Sequence, residues 1–223
     1  MSIKKQIPFL LFVLLLAACT DEEKQPDSKA EGTMDAIVLD SDNTAYLSWD
    51  EYYSKNDIHF SIDSFIANDT INAELLIRSV DLSDDFYNLY GRLIEYNDDS
   101  SKFIDPFSYS LIMENENGKL IARGGEVDHE VTVVDIKTKT STRLLFCGPS
   151  CEIQKAFWYN ENIVGIMGLT SEYSDEYFTP VIWFVNIKNG LMIPYYYNST
   201  VSLEETEDYL EKYLNSKGIE YEN

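Results

Sequence analysis

Four times between residues 107 and 197, two short runs of β-forming residues flank a turn sequence. Asn-Gly stands at the tip of the first pair and of the last, and this dipeptide between alternating apolar residues is a strong hairpin signal. The pairs occupy residues 107–123, 131–147, 156–168 and 181–197. Because the connections are short, neighbouring strands should pair as an antiparallel meander. The pattern predicts an all-β domain over residues 34–200.

Three earlier segments, residues 59–65, 73–80 and 86–96, are also expected to be strands. The sequences VDIK at residues 134–137 and VNIK at residues 185–188 resemble each other, and repeats at such a distance are typical of propeller blades. A chain of this size holds at most about four blades, and its N-terminal half contains no third copy. We therefore expect a β-sandwich or a single curled sheet with propeller-like hairpins.

One α-helix is expected, over residues 201–218 at the C-terminal end of the domain. Ser202 and Glu205 have the spacing of a capping box, in which each side chain bonds the other residue's backbone. Gly218 is placed to end the helix. The apolar side chains that share one face are Leu203, Leu210, Tyr213 and Leu214.

Residues 1–18 have the composition of a secretory signal peptide. Lys4 and Lys5 precede an apolar run that is too short to span a bilayer, and small residues then lead to Cys19 in the sequence LAAC. This sequence resembles the lipobox of bacterial lipoproteins. The resemblance implies that Cys19 becomes the mature N-terminus and carries the lipid that attaches the protein to a membrane.

Residues 19–33 are polar and acidic, and such a segment cannot bury enough apolar surface to fold. We predict that they form a disordered tether between the lipid and the domain. The sequence TDEE at residues 20–23 resembles the acidic signal that sends lipoproteins of some Gram-negative bacteria to the cell surface; a solvated linker without a routing role is the alternative. The resemblance implies attachment to the outer membrane, on its outer or periplasmic face.

The chain is strongly acidic, with a formal net charge of −22 that becomes −24 when the signal peptide and its two lysines are removed. A field of this sign repels phosphates, so nucleic acid is excluded as a partner. It steers a basic protein partner toward the domain, and it is also compatible with a neutral glycan ligand. Solubility alone is a further explanation of the charge.

The sequence FCGPSCE at residues 146–152 resembles a redox site of the thioredoxin type. Three residues separate Cys147 from Cys151, whereas such sites use two, and no helix pattern follows. A zinc site would need about four ligands, and only the distant His59 and His129 remain to supply them. With Cys19 assigned to lipid, the other two cysteines form an even pair in an oxidising compartment. We predict a structural disulfide between Cys147 and Cys151.

Residues 40–51 match part of a calcium-binding loop. Asp40, Asp42, Thr44 and Glu51 stand at positions 1, 3, 5 and 12 of an EF-hand pattern, but Ala45 occupies the place of its glycine. No flanking helices are expected, so an acidic turn between strands is the favoured interpretation. Apart from this weak calcium candidate, we expect neither a metal nor a cofactor.

No nucleophile elbow, phosphate-binding loop or metalloprotease helix occurs in the sequence. A glycosidase carboxylate pair needs no local motif, so a hydrolase remains an alternative. We expect a non-enzymatic binding lipoprotein with a protein partner, comparable to an immunity or inhibitor protein; glycan binding is the rival hypothesis. Aromatic side chains predicted to be exposed for binding are Tyr87, Tyr90, Tyr195, Tyr196 and Tyr197. The cluster Asp128-His129-Glu130 is expected to be solvated.

Overall fold

The computed structural model describes residues 34–56, 59–171, 177–202 and 207–222. Within them the chain forms helices α1 (Thr44–Asn56), α2 (Asp84–Tyr90) and α3 (Glu207–Ser216), and a 3₁₀ turn at Ile62–Ser64. The strands are β1 (Phe65–Ala67), β2 (Ile71–Asn72), β3 (Leu76–Ser79), β4 (Glu95–Tyr96), β5 (Lys102–Asp105), β6 (Leu111–Glu116), β7 (Lys119–Gly124), β8 (His129–Asp135), β9 (Thr140–Cys147), β10 (Cys151–Asn160), β11 (Ile163–Thr170), β12 (Tyr177–Asn186), β13 (Leu191–Tyr197), β14 (Val201–Ser202) and β15 (Ile219–Glu222).

The strands form three sheets. A central sheet has the order β1-β13-β12-β11-β10, with β2 added on β13 and β14 on β12. An outer sheet has the order β3-β9-β8-β5-β4, and a small sheet the order β15-β7-β6. The domain is therefore mostly β, with antiparallel sheets packed together, and no sheet closes into a barrel within the described residues.

All four predicted hairpins are present, as β6–β7, β8–β9, β10–β11 and β12–β13. At the tip of the first hairpin, Asn117 and Gly118 have φ values of 54° and 87°. Two consecutive positive φ angles are what a type I′ turn requires, and Asn-Gly tolerates them. At this hairpin, local turn chemistry is thus sufficient to define the strand pair.

The central sheet is buried on both faces, which explains its nearly continuous apolar strands. Val181, Trp183 and Val185 of β12 pack with side chains of the outer sheet. The alternate residues Ile182 and Phe184 pack on the opposite face, in a core shared with α1, α3 and the small sheet. Because side chains alternate along a strand, a strand covered on both sides needs apolar residues at every position.

Helix α1 was not expected from the sequence, and the acidic turn predicted there is wrong. The Asn43 side chain caps its start by accepting a hydrogen bond from the Ala45 N–H at 2.9 Å. Tyr46, Trp49 and Tyr53 recur at helical spacing and are fully buried against the central sheet. Burial of a ring as large as Trp49 removes about 200 Å² from water and contributes about 5 kcal/mol.

The strand predicted over residues 86–96 is also wrong for most of its length. Ser83 caps helix α2, with its Oγ 3.3 Å from the Phe86 amide nitrogen. Phe86 and Tyr90 stack one turn apart, with ring centroids separated by 5.6 Å. Helical spacing of these aromatics therefore prevails over their strand propensity, and strand β4 begins only at Glu95.

The other early strands are shorter than expected. Residues 59–65 contribute only Phe65 to a strand, and residues 73–80 contribute β3. The C-terminal helix is confirmed, but Ser202 belongs to β14 and so does not cap it; Glu205 lies outside the described residues. Gly218 follows α3 with a φ of 72°, as predicted for a helix-ending glycine.

Strand β15 was not expected. It follows Gly218 and pairs in parallel with β7, from Ile219 opposite Leu120 to Glu222 opposite Arg123. Arg123 donates a hydrogen bond to Glu222 of β15, and its guanidinium also contacts Glu114 and Glu116 of β6. This contact ties the end of the chain, and with it α3, to the small sheet.

Candidate functional site

Of the residues singled out in the sequence, Cys19 and the tether at residues 19–33 lie outside the described residues. Cys147 and Cys151 form a disulfide, with Cα atoms 5.7 Å apart. Cys147 ends β9 in the outer sheet and Cys151 begins β10 in the central sheet. The bond therefore connects two sheets that face each other across a core, as a structural disulfide does. In the described part of the chain, no helix is long and apolar enough to cross a membrane.

The calcium candidate is not assembled. Thr44 is the first residue of α1 and Glu51 lies two turns further along the same helix. Asp40 accepts a hydrogen bond from the Asp42 N–H at 3.0 Å, which closes a local turn before the helix. Among the described residues, no group of three or more His, Cys, Asp or Glu side chains is arranged to hold a metal ion.

Each of the five tyrosines that were predicted to be exposed is buried or half-buried. Tyr195 and Tyr197 are buried in the core on one face of the central sheet, so the prediction is wrong for them. Tyr196 is half-buried against the opposite core. Tyr87 and Tyr90 are half-buried on α2, and the Tyr90 hydroxyl donates to the Leu111 carbonyl at 2.9 Å. The aromatic-rich sequence at 195–197 reflects a strand that is covered on both faces.

The expectation of a solvated cluster at residues 128–130 is also wrong. Glu130 is only 4% exposed and forms an ion pair with Arg78 of β3. His129 lies in β8 opposite Cys147, and burial lowers the pKa of its imidazole. The Glu130 carboxylate and the His129 Nδ1 atom are therefore buried within the outer sheet, whereas Asp128 is half-buried.

A cleft of about 580 Å³ lies between α1, α3 and strand β10. We call it the lysine cleft because Lys55, Lys155, Lys212 and Lys217 line it. Glu51 and Glu95 are its only acidic lining residues in the described part of the chain, so the lining carries an excess of positive charge. Four of the seventeen Lys and Arg residues of a strongly acidic chain thus meet in one concavity.

Lys155 is held at one wall of the cleft by helix α1. Its ammonium donates to the Ala45 carbonyl at 2.7 Å and contacts the Ser48 hydroxyl at 3.3 Å. Burial lowers the pKa of Lys155; the nearby Lys217 lowers it further, whereas Glu95 opposes the shift. No carboxylate within the described residues lies close enough to form an ion pair with it.

Aromatic rings form the walls of the lysine cleft. The Lys212 ammonium lies 4.6 Å from the centroid of the Tyr52 ring, and that of Lys217 lies 5.3 Å from the Tyr213 ring. Lys217 also pairs with Glu95 at 3.4 Å. The cleft therefore combines cationic groups with apolar surface, a combination that suits a ligand with an apolar body and a charged end.

A buried polar network holds α1 against strand β10 beneath the cleft. A register shift between Ile153 and Lys155 makes Gln154 a bulged residue, and its side chain is fully buried. Its Oε1 accepts hydrogen bonds from the Trp49 indole at 2.6 Å and from the Tyr53 hydroxyl at 2.9 Å. Trp and Tyr donors buried at such a position need an acceptor, so Gln154 positions the helix.

Glu152 extends this network toward solvent. The Gln154 side-chain amide donates to Glu152 at 3.1 Å, and burial raises the pKa of the Glu152 carboxyl to about 7. This hydrogen bond favours the ionised form and opposes the shift, but desolvation is the larger effect. Near neutral pH, the protonated and ionised forms of the Glu152 carboxyl are therefore both populated.

A second concavity, of about 550 Å³, adjoins the cleft at Trp158. It lies between the β4–β5 and β10–β11 turns, and we call it the turn groove; its lining includes Asp98, Asp99, Trp158, Tyr159, Asn160 and Glu161. The Trp158 indole donates to the Glu95 carbonyl at 2.8 Å, which fixes the ring between the two concavities. The turn groove combines two aromatic rings with carboxylate and amide groups.

Sequence reasoning did not identify the lysine cleft, because its lysines come from three segments that are far apart in the chain. No local spacing connects Lys55, Lys155 and Lys212. The sequence contains only an indirect indication of the cleft. The aromatic residues of α1 and α3 recur at helical spacing, which predicts two helices that pack on a common surface.

No family model matches this chain, and comparison with curated proteins and with solved structures likewise gives no match.

Proposed function

We propose that the protein is a non-enzymatic binding lipoprotein of the bacterial envelope and that its partner is another protein. The lipid on Cys19, implied by the lipobox resemblance, attaches it to the outer membrane. The lysine cleft is the binding site. The observation that carries this proposal is the concentration of lysines and aromatic rings in one cleft of an otherwise acidic chain.

The charge distribution supports a protein partner with charges of both signs. The acidic remainder of the surface attracts basic residues over a distance and accelerates association. At contact, an acidic or apolar side chain of the partner enters the lysine cleft, where the half-buried Trp158 and the edges of the buried Tyr52 and Tyr213 rings provide aromatic surface. By analogy of charge and location alone, we propose a role like that of an immunity or inhibitor protein at the envelope.

Partner capture tests the proposal. The full chain, purified in mild detergent, is immobilised and exposed to envelope extract of the producing bacterium at low and at physiological ionic strength. We expect one protein to be retained, with weaker retention at the higher ionic strength because salt screens the charges that steer association. Lys212→Glu, an exposed change in the cleft, should reduce retention at least tenfold.

Lys188→Glu is the matched control, because Lys188 lies in the exposed turn between β12 and β13 and does not line the cleft. It makes the same charge change and should leave retention unchanged. Equal loss in both variants would mean that overall charge, rather than the cleft, controls binding. Retention of no protein at either ionic strength would refute the proposed partner class.

Glycan binding is the second candidate function, and the turn groove supports it. Trp158 and Tyr159 provide rings on which a sugar can stack, and Asp98, Asp99 and Glu161 provide acceptors for its hydroxyls. Stacking on a neutral sugar is nearly independent of salt. A glycan array probed with the full chain distinguishes the two functions: salt-independent binding that Tyr159→Ala removes and Lys212→Glu preserves would favour the glycan.

A further inference from the structure

We propose that the lysine cleft binds a single carboxylate carried by an aromatic or aliphatic group, with Lys155 as its counter-ion. This inference rests on the proposed function only in taking the cleft as the binding site. The carboxylate belongs either to a side chain or C-terminus of the protein partner or to a free organic acid. Both sources present the same chemistry to the cleft.

The Lys155 ammonium is held in a position where a bound anion could contact it. Two of its three ammonium hydrogens are directed to neutral oxygens, the Ala45 carbonyl at 2.7 Å and the Ser48 hydroxyl at 3.3 Å. Removal of a charged group from water costs free energy unless an opposite charge compensates. No carboxylate of the described residues lies within ion-pair distance of Lys155, and Glu95 acts on it only from farther away. A bound anion that accepts the third hydrogen would supply the compensation.

The other charges favour a monoanion. Lys217 is already paired with Glu95 at 3.4 Å, so Lys55, Lys155 and Lys212 remain in the described lining, with Glu51 as the one opposing charge. The carboxylates of Glu51 and Glu95 would repel a second negative charge. Phosphate sites commonly use the planar fork of arginine, and no arginine is among the described lining residues. A carboxylate is therefore favoured over a phosphate.

The aromatic lining of the lysine cleft indicates which chemical group carries the carboxylate of the ligand. The half-buried Trp158 lines the cleft together with the edges of Tyr52, Phe157 and Tyr213, each of which is less than a tenth exposed. A ligand made only of polar groups would leave this limited apolar surface in contact with water. The volume of about 580 Å³ lies in the range of clefts that hold small organic ligands. One aromatic ring with its carboxylate fills part of such a space and leaves room for a connecting chain.

Three small probes test the inference: N-acetylphenylalanine, its C-terminal amide and phenyl phosphate. Binding to the full chain in mild detergent is followed by tryptophan fluorescence, because Trp158 lines the cleft. We expect the acid to bind at least tenfold more tightly than the amide and more tightly than phenyl phosphate. Lys155→Met should reduce the preference for acid over amide to less than threefold, and Lys188→Met should leave it unchanged.

Lys155→Met can be unstable, because Lys155 contacts α1. A thermal melt followed by circular dichroism checks this, and the exposed Lys212→Met provides a second variant, expected to weaken binding of the acid three- to fivefold without affecting the fold. Equal binding of acid and amide, tighter binding of phenyl phosphate, or no binding of any probe would overturn the inference. Partner capture that depends on Lys212 would still stand in those cases, so the two proposals fail separately.

Discussion

Glu130 is a buried carboxylate whose charge is compensated by Arg78. It is almost fully buried, and its ion pair with Arg78 joins β8 to the outer sheet's edge strand β3 across the intervening β9. Arg78→Met removes the cation and leaves a buried charge uncompensated, which should lower the free energy of unfolding by about 2 to 3 kcal/mol. The double variant Arg78→Met/Glu130→Gln should recover much of this loss. Urea denaturation measures both effects.

Lys102→Met is the matched control for that experiment. Lys102 pairs with Asp135 at 3.8 Å, and about a third of each side chain is exposed. Exposed pairs contribute less than about 1 kcal/mol, so this variant should remain close to the parent protein. If Lys102→Met lowered the free energy of unfolding as much as Arg78→Met does, the burial of Glu130 would not explain the effect of Arg78→Met.

Glu152 gives the protein a pH-dependent stability. Its pKa is about 7 when the protein is folded and near the ordinary 4.5 when it is unfolded, so the folded state holds a proton that the unfolded state has released. The contribution of Glu152 to stability should therefore fall as pH rises from about 4.5 through about 7 and should then level off. Because the side chain stays partly exposed, we expect a change of about 1 to 2 kcal/mol.

Glu152→Gln should remove this contribution, because an amide accepts the hydrogen bond from Gln154 and carries no charge. Asp105, whose pKa is also raised by burial, keeps a dependence of the same sign in the variant. Urea denaturation at pH 4 and pH 8 measures it: the variant should exceed the parent protein in stability at pH 8 and match it at pH 4. Glu126→Gln, in the exposed connection between β7 and β8, is the control. A parent protein that is more stable at pH 8 than Glu152→Gln would contradict the argument.

At the scale of elements, the β9–β10 connection depends on its disulfide. Cys147→Ser/Cys151→Ser should lower the free energy of unfolding by about 2 kcal/mol, because the bond restricts a short loop in the unfolded chain. Partner binding should persist, since neither cysteine lines the lysine cleft. Thiol labelling of the unreduced parent protein should find both cysteines blocked. Free thiols, or lost binding in a folded variant, would instead support a redox role.

The hairpins and the helices differ in how far local sequence predicts them. Asn117-Gly118 defines its turn because few other residues adopt two positive φ angles, so the β6–β7 pair follows from adjacent residues alone. Helix α2 has an equally local cap at Ser83, but Phe86 and Tyr90 also favour strands. Their helical spacing and the packing of Phe86 against Phe103 both favour the helix, so local and tertiary contacts act together where propensities conflict.

At the scale of the whole molecule, the lipid anchor is the prediction with the clearest test. Cys19→Ala should leave the protein unlipidated and release it from the membrane fraction or retain it as precursor. Mass spectrometry of the parent protein should detect the acyl chains. Digestion of intact cells with added protease distinguishes the faces of the outer membrane, because only a surface-exposed domain is degraded. Protection would remove any routing role for residues 20–23.

The sequence by itself determined the hairpins, the disulfide pair and the end of the C-terminal helix, because each depends on residues within one turn or one strand pair. It also determined the strong negative charge. The tertiary structure alone decided which strands are covered on both faces and so buried Tyr195 and Tyr197. It also brought Lys155 and Lys212 together across two helices and a strand. Packing of distant segments creates such a site, and no spacing along the chain records it.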